Sequence, residues 1–181
     1  MKVSFVKTGE RRYGVLVQRE RGPEVAMNPA PGYHAYLPHD MLHFVAEAEW
    51  RLDGAVFGQL AAGGDAGTFI PTEKSLIARA MRDRKRRKRR AGKPKGRRSE
   101  VLAHILEHAW NARHGREPLP PDWEEQLTAA RVSDKRLERV VDRLDGPAER
   151  WHSLPIGQQM TLEWPRAERR SPTPRLEERH P

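Results

Sequence analysis

Apolar residues alternate with polar ones at both ends of the chain and recur every three to four residues between them. Alternation is seen in Val3 and Phe5, in Tyr13, Val15 and Val17, and again in Met160, Leu162 and Trp164. This period is typical of β-strands that bury one face. Because the final strand needs partners, we expect it to pair with the N-terminal strands, which would then form one antiparallel sheet.

Between the strands, five segments carry apolar residues at helical spacing, a pattern that indicates amphipathic helices. We expect Ser99 to cap one of these helices and Gly146–Pro147 to end the last one. The segments lie at about residues 38–52, 72–81, 99–114, 122–130 and 133–146. The sequence therefore predicts an α+β fold, with N-terminal antiparallel strands joined by a C-terminal strand and about five helices between.

The apolar residues are numerous enough for one hydrophobic core, and nearly all of them lie within residues 1–164. Residues 1–164 are predicted to form a single α+β domain, interrupted by a flexible basic linker at about 84–98. Residues 165–181 contain many charges and prolines and almost no apolar residues, so we expect a disordered tail.

Composition excludes several kinds of chemistry. The 181 residues include no cysteine, which rules out disulfides, thiolate zinc sites and cysteine nucleophiles. The N-terminus lacks the apolar stretch of a secretory leader, and no run approaches the roughly 18 apolar residues of a membrane-spanning helix. These features predict a cytoplasmic protein without a membrane partner.

Charge is concentrated in one segment, residues 82–98, which we call the basic segment. It contains twelve Lys or Arg residues and one acid, so it carries +11, whereas the whole chain carries +9 and the remainder therefore −2. Such a density of cations favours a polyanion, above all the phosphate backbone of nucleic acid. The predicted contact residues are Arg84, Lys85, Arg86, Arg87, Lys88, Arg89, Arg90, Lys93, Lys95, Arg97 and Arg98.

No aromatic residue interrupts the basic segment, so base stacking is not offered there. We therefore expect binding to DNA or RNA without sequence preference. Two other interpretations stay open: a localisation signal of the Lys/Arg-cluster type, and a solvated insertion with no dedicated partner.

A second informative passage is Leu37–Phe44, which reads LPHDMLHF. His39 and His43 are four residues apart, and two histidines at this spacing on one helix can chelate a metal ion such as zinc. Glu47 lies two turns beyond His39, about 12 Å along a helix axis, so all three are not expected on one ion. The passage is also loosely similar to a zinc-protease helix, with Asp40 in place of the glutamate base.

The histidine pair also has simpler interpretations. His39 and His43 can be polar residues on a solvent-facing helix side, with Asp40 acting as an N-cap, or they can serve in metal-free acid–base chemistry with Asp40. A second pair, His104 and His108, has the same spacing. If the two helices meet, the two pairs would surround one ion.

The LPHDMLHF segment and the later pattern Trp151…Leu154-Pro155-Ile156-Gly157…Leu162 resemble a family of small uncharacterised bacterial proteins. The resemblance implies a bacterial cytoplasmic protein with one contiguous fold from the first strands to the last. It brings no activity, cofactor or partner with it.

These observations favour a small nucleic-acid-associated protein that is not an enzyme and has no cofactor. The first alternative is a metal-dependent, hydrolase-like domain that uses the His39/His43 helix face with zinc or another divalent ion. The second alternative is a protein-binding module such as an antitoxin-like or assembly factor.

Overall fold

The structure is a computed structural model that describes residues 1–32, 36–88 and 96–165, and within 84–88 the side chain of Lys85 only. A five-stranded sheet has the strand order β4-β3-β2-β1-β5, and every neighbouring pair is antiparallel. The strands are β1 (Lys2–Gly9), β2 (Arg12–Gln18), β3 (Val25–Met27), β4 (Ile70–Pro71) and β5 (Gln159–Glu163). The prediction that the last strand pairs with the first is confirmed, because β5 lies beside β1.

Six helices complete the described part of the chain. They are α1 (His39–Trp50), α2 (Val56–Ala61), α3 (Lys74–Lys88), α4 (Arg97–Arg113), α5 (Trp123–Ala130) and α6 (Asp134–Ser153). The α+β class is confirmed. None of the helices in the described ranges combines the length and apolarity needed to span a bilayer.

Helix α1 lies at the centre of the molecule because apolar residues cover more than one of its sides. Phe44 packs edge-on against Phe5 of β1, with ring centroids 6.4 Å apart, and against Phe57 of α2 at 5.2 Å. Helix α4 also packs against α1. The side of α1 that carries His43 is therefore covered by α4, whereas the sequence was consistent with a solvent-facing side.

Two helix boundaries differ from the predicted ones. Helix α6 continues through Gly146 and Pro147 to Ser153, and this continuation buries Ala148 and brings Trp151 against Tyr13 of β2 at 6.3 Å. The apolar contacts thus offset the hydrogen bond that proline removes. Helix α4 begins at Arg97 with Gly96 at the N-cap position, so the expectation that Ser99 caps it is wrong.

The basic segment is helical at both of its ends. Residues 84–88 form the last turn of α3, and Arg97 and Arg98 form the first turn of α4. Helical structure therefore reaches into the predicted linker, about 84–98, from each side. Arg89, Arg90, Lys93 and Lys95 lie outside the described residues, as does the predicted tail from residue 166 onward.

Candidate metal centre

The first two residues of the candidate site are His39 and His43, on the first turns of α1. Pro38 occupies the N-cap position, so the helix includes His39 and the two imidazoles lie one turn apart. Their Nε2 atoms are 3.1 Å apart. A single ion with metal–nitrogen bonds of about 2.0–2.1 Å holds two ligand nitrogens about 2.9–3.4 Å apart. The separation therefore fits chelation.

Glu100 of α4 adds a carboxylate to this pair. Its Oε2 lies 3.5 Å from His43 Nε2, and one ligand atom from each of the three residues lies within 4.8 Å of the other two. We call His39, His43 and Glu100 the triad. His43 is buried, His39 is half-buried, and the Glu100 side chain is 71% exposed. The triad is thus anchored on the protein side and open to solvent on the other.

Sequence reasoning missed Glu100 because its place depends on the packing of α4 over α1. The only local signal is that Ser99–Glu100 directly follows the basic segment. Glu47, which was not expected on the same ion as His39, indeed lies behind His43 and away from the triad's open side.

A hydrogen-bond chain runs from His43 into the core. His43 Nδ1 is 2.8 Å from Ser99 Oγ, and the Ser99 hydroxyl donates to Glu47 Oε1 at 2.7 Å. Glu47 is fully buried, with 0% of its surface exposed. We call Glu47, Ser99 and His43 the relay. Ser99 is therefore a buried connector between α1 and α4.

The Glu47 carboxylate is held by the first turn of α2. Oε2 accepts the backbone N–H of Phe57 at 2.6 Å and of Gly58 at 3.4 Å, and Oε1 accepts that of Val56 at 3.2 Å. With Ser99, four donors converge on one side chain. The ionised carboxylate satisfies all four, since it offers acceptors only.

The direction of the hydrogen bonds in the relay decides which ring nitrogen of His43 carries the proton. Because Ser99 has one proton and donates it to Glu47, its oxygen accepts from His43, which places the imidazole proton on Nδ1. Nε2 of the neutral ring is then an acceptor, and the Nε2–H of His39 donates to it at 3.1 Å; a metal ion bound by both nitrogens would take the place of that proton. A buried carboxylate that fixes a histidine tautomer in this way is a common outer layer of metal sites.

Electrostatics agree with this assignment. Burial lowers the pKa of His43, with Glu100 opposing and His39 reinforcing the shift, so His43 favours the neutral form that a metal requires. Burial also raises the pKa of Glu47, while its hydrogen bonds from Ser99 and from the backbone lower it. Acidification will therefore act on both ends of the relay.

Asp40 serves the fold on a different side of α1. Its Oδ2 accepts a hydrogen bond from the Tyr13 hydroxyl at 2.6 Å, and its backbone N–H donates to the same hydroxyl at 3.2 Å. Burial raises the pKa of Asp40 and that of Tyr13. Asp40 is neither the N-cap nor, among the described contacts, bonded to a histidine, so the geometry ties it to β2 rather than to a role as base.

The second histidine pair does not join the first. His104 Nε2 and His108 Nε2 on α4 are also 3.1 Å apart, but the cluster of possible metal ligands found in the described ranges consists of the triad alone. His104 is exposed. The four-histidine site considered from the sequence is therefore not formed, and Glu100 takes the place expected of the second pair.

The predicted nucleic-acid residues are placed only in part. Lys85 on α3 and Arg97 on α4 are exposed, while Arg98 donates to the Ala130 carbonyl oxygen at 3.3 Å. Arg84, Arg86, Arg87 and Lys88 belong to α3, but their side chains lie outside what the structure describes. Where the segment is described, its charges are at the surface.

Comparison with known proteins adds no further assignment: no protein-family model matches the chain, and neither a curated protein nor a solved structure matches it. The resemblance drawn from Leu37–Phe44 and Trp151–Leu162 stays a prediction.

Proposed function

We propose that the protein binds one divalent transition-metal ion at the triad and that the centre is hydrolytic in type. The observation that carries the proposal is the convergence of His39, His43 and Glu100, whose ligand atoms all lie within 4.8 Å of one another. The relay from Glu47 through Ser99 orients the His43 ring, which nothing described does for the pair His104 and His108. Two imidazoles and one carboxylate suit zinc and its neighbours better than Mg²⁺ or Ca²⁺. This alternative to a non-enzymatic role thus has the stronger geometric support.

The number of ligands supports a catalytic rather than a structural ion. Structural zinc sites have four protein ligands, whereas catalytic ones have three and keep a position for water or substrate. The triad supplies three, and its open side carries the exposed Glu100. An ion there would present its remaining positions to solvent.

The test is a zinc titration of untagged, chelator-treated protein against a chromophoric competitor. To remove the surface pair, all variants carry His104→Asn and His108→Asn. We expect one equivalent to bind, and His43→Asn or Glu100→Gln to weaken binding at least 10-fold. In His43→Asn the amide can still donate to Ser99, so the variant removes the ligand nitrogen Nε2 and keeps the donor of the relay. Absence of saturable binding in the parent would refute the proposal.

A second candidate function is nucleic-acid binding by the basic segment. It is favoured by the charge of +11 on residues 82–98 and by the exposure of Arg82, Lys85 and Arg97. A cytoplasmic location is part of this second proposal. Binding through about 6–8 phosphates would weaken on the order of 10³–10⁵-fold between 50 and 200 mM salt.

The structure changes how this second candidate should be tested. Deleting residues 84–98 would remove a turn of α3 and the start of α4, including the Arg98–Ala130 contact. Replacing the seven cations at 84–90 with glutamine keeps helix-forming residues. Loss of binding to duplex DNA and to RNA at about 100 mM salt is expected. Undiminished binding would exclude the cations of residues 84–90 as the binding element, and absence of binding by the parent would exclude the function.

A further inference from the structure

A groove opens between helices α4, α5 and α6, and none of the triad residues lines it. Its volume is about 680 Å³, and Leu137 and Val141 of α6 contribute buried apolar side chains to its floor. Trp123 at the start of α5 and Leu119 before it also line the groove, and Leu119 is 43% exposed. Apolar surface that is open to solvent in this way marks a place where another apolar surface packs.

A row of acidic residues follows the groove along α6. Asp134, Glu138 and Asp142 line it and are exposed. They are spaced by four residues, so they lie on one side of the helix and span about 12 Å. Arg113 of α4 forms an ion pair with Asp142 and is attracted by Glu138. Three carboxylates and one guanidinium leave the groove with a net charge of −2, so it favours an occupant that is apolar in the middle and cationic at its ends.

Helix α3 carries a surface of this kind. Four exposed positions on it follow the spacing i, i+4, i+7, i+11, which places them on one side of a helix. They are Lys74, Ala78, Met81 and Lys85, and we call them the α3 strip. The helix packs against β4, and its half-buried residues Leu76 and Ala80 lie on a different side. The α3 strip is therefore left at the surface.

The α3 strip matches the groove in length, charge and polarity. Lys74 and Lys85 are eleven residues apart, about 16–17 Å along the helix axis, which is enough to cover the acidic row. Their two positive charges oppose the net −2 of the groove. Between them, Met81 is 51% exposed and offers a flexible apolar side chain that adapts to an irregular floor. A helix that lays such a stripe into an apolar groove is a recurrent mode of recognition.

We propose that the groove binds α3 of a second copy of the chain, with Met81 on the apolar floor and Lys74 and Lys85 beside the acids of α6. The two surfaces lie on different elements of one chain, so the contact is head-to-tail. A copy whose groove is filled still presents its own α3 strip, and association continues into a ring or an open chain of copies. This inference depends neither on the proposed metal centre nor on nucleic-acid binding.

Sedimentation velocity of the untagged full-length chain, measured over a range of protein concentrations, tests this contact. The protein is first treated with nuclease and washed at high salt, because Lys85 also belongs to the basic segment and bound nucleic acid would link copies by another route. Chelator is present so that no metal links the histidines of two copies. We expect the average sedimentation coefficient to rise with concentration at about 50 mM salt and to rise less at about 300 mM, where the charges are screened.

Three substitutions should each weaken the association at least about 10-fold. Met81→Glu places a carboxylate against the acidic row, and Lys85→Glu and Glu138→Lys each reverse one charge of the contact. All three side chains are exposed, so the fold does not depend on them, which circular dichroism checks. The matched control is Arg79→Glu, which changes the net charge as Lys85→Glu does. Arg79 is exposed and lies about 120° or more round α3 from the α3 strip's Met81 and Lys85, so association should stay within about 2-fold.

A mixture of the two charge-reversed chains gives the sharpest result. Neither Lys85→Glu nor Glu138→Lys should associate alone. In the mixture, the new glutamate on α3 of the first faces the new lysine in the groove of the second, so a one-to-one pair should form. A mixture without this pair would overturn the assigned contact. A parent that stays monomeric up to about 200 μM, association seen only before nuclease treatment, or variants that associate like the parent would overturn the proposal.

Discussion

Helices α1 and α3 both carry several charged or ionisable residues, but they use them in opposite ways. In α1, His43 and Glu47 are buried, and each is hydrogen-bonded to Ser99 of α4. In α3, no described side chain is buried, and Met81 of its apolar stripe is 51% exposed. The few buried groups of α1 hold one another at defined distances, whereas the exposed cations of α3 create a positive electrostatic potential at the surface.

The buried groups of α1 can select a ligand by geometry, whereas the exposed cations of α3 attract polyanions without selecting among them. A buried polar group must be satisfied, so the position of each relay atom is determined by its partners. Exposed like charges are screened and repel one another, so they favour any polyanion without selecting a target. We therefore expect substitutions in the relay to destabilise the fold and substitutions in the basic segment to leave its stability nearly unchanged.

Removal of the central carboxylate should have the largest effect. Glu47→Ala leaves the Ser99 hydroxyl and three backbone N–H groups without their acceptor and opens a cavity, so we expect a loss of about 3–5 kcal/mol in the free energy of unfolding. Urea denaturation measures it. The matched control is Glu138→Ala, an exposed glutamate on α6, which should change stability by less than about 0.5 kcal/mol.

A methyl group at Gly58 should come next. A Cβ there would overlap the Leu52 carbonyl oxygen and the backbone of Asp53, so Gly58→Ala must displace the turn that binds Glu47. We expect a loss of about 1–3 kcal/mol. Gly146→Ala makes the same change within α6, where nothing lies within 4 Å, and should stabilise by up to about 1 kcal/mol. Equal effects at both positions would count against a close approach at Gly58.

Loss of the connecting hydroxyl should have a moderate effect on stability and a specific effect on metal binding. Ser99→Ala leaves the His43 Nδ1–H without its acceptor, and we expect about 1–3 kcal/mol of destabilisation and zinc affinity reduced about 10–100-fold. Ser153→Ala, an exposed serine on α6, should alter neither quantity. Unchanged zinc affinity in Ser99→Ala would show that the relay does not orient His43.

Acidification should destabilise the protein through His43. Its pKa is lowered in the folded state by burial, so below the ordinary value of about 6.5 the unfolded chain binds a proton that the folded chain resists. Stability therefore falls as pH decreases through this range. The raised pKa values of Asp40 and Glu47 act with the opposite sign, because the folded state takes up those protons first.

The contribution of His43 is isolated as the difference between the parent and His43→Asn in urea denaturation from pH 7.5 to pH 5. The free energy of unfolding of the parent minus that of His43→Asn should decrease as pH decreases, because only the parent loses stability through His43. A difference that is constant across the range would contradict a lowered pKa.

The smallest effect on stability is expected for the basic segment. Glutamine at the seven cations of residues 84–90 should change the free energy of unfolding by less than about 0.5 kcal/mol, because α3 buries no described side chain. Any larger loss, measured by the same denaturation, would mean that the segment packs on the domain and is not an independent binding element.

The sequence did not predict β4, which has only two residues and therefore no alternation. It was sufficient for the other four strands and for most of the helices, because alternation and helical spacing report directly on which face is buried. It was insufficient where two signals compete. Gly146–Pro147 indicates a helix end, yet the contact between Trp151 and Tyr13 carries α6 further. The packing of Trp151 against Tyr13 stabilises the continued helix by more than Gly146 and Pro147 destabilise it.

About half of the candidate site could be predicted from the sequence. The spacing of His39 and His43 fixes one chelating pair within a single helix, so it can be read from the sequence. Glu100, Ser99 and the place of Glu47 depend on α4 crossing α1, a contact between residues more than fifty positions apart. Ser99 was expected to be a helix cap because a serine at a helix start is normally one, and only tertiary packing shows its other use.

The central claim is that His39, His43 and Glu100 together hold one ion, and zinc K-edge X-ray absorption tests it most directly. The His104→Asn/His108→Asn chain, loaded with one equivalent of zinc, should show two imidazoles and oxygen donors at about 2.0–2.1 Å. In His43→Asn, one imidazole should disappear from the signal. A spectrum without imidazole, or one that His43→Asn leaves unchanged, would contradict the account.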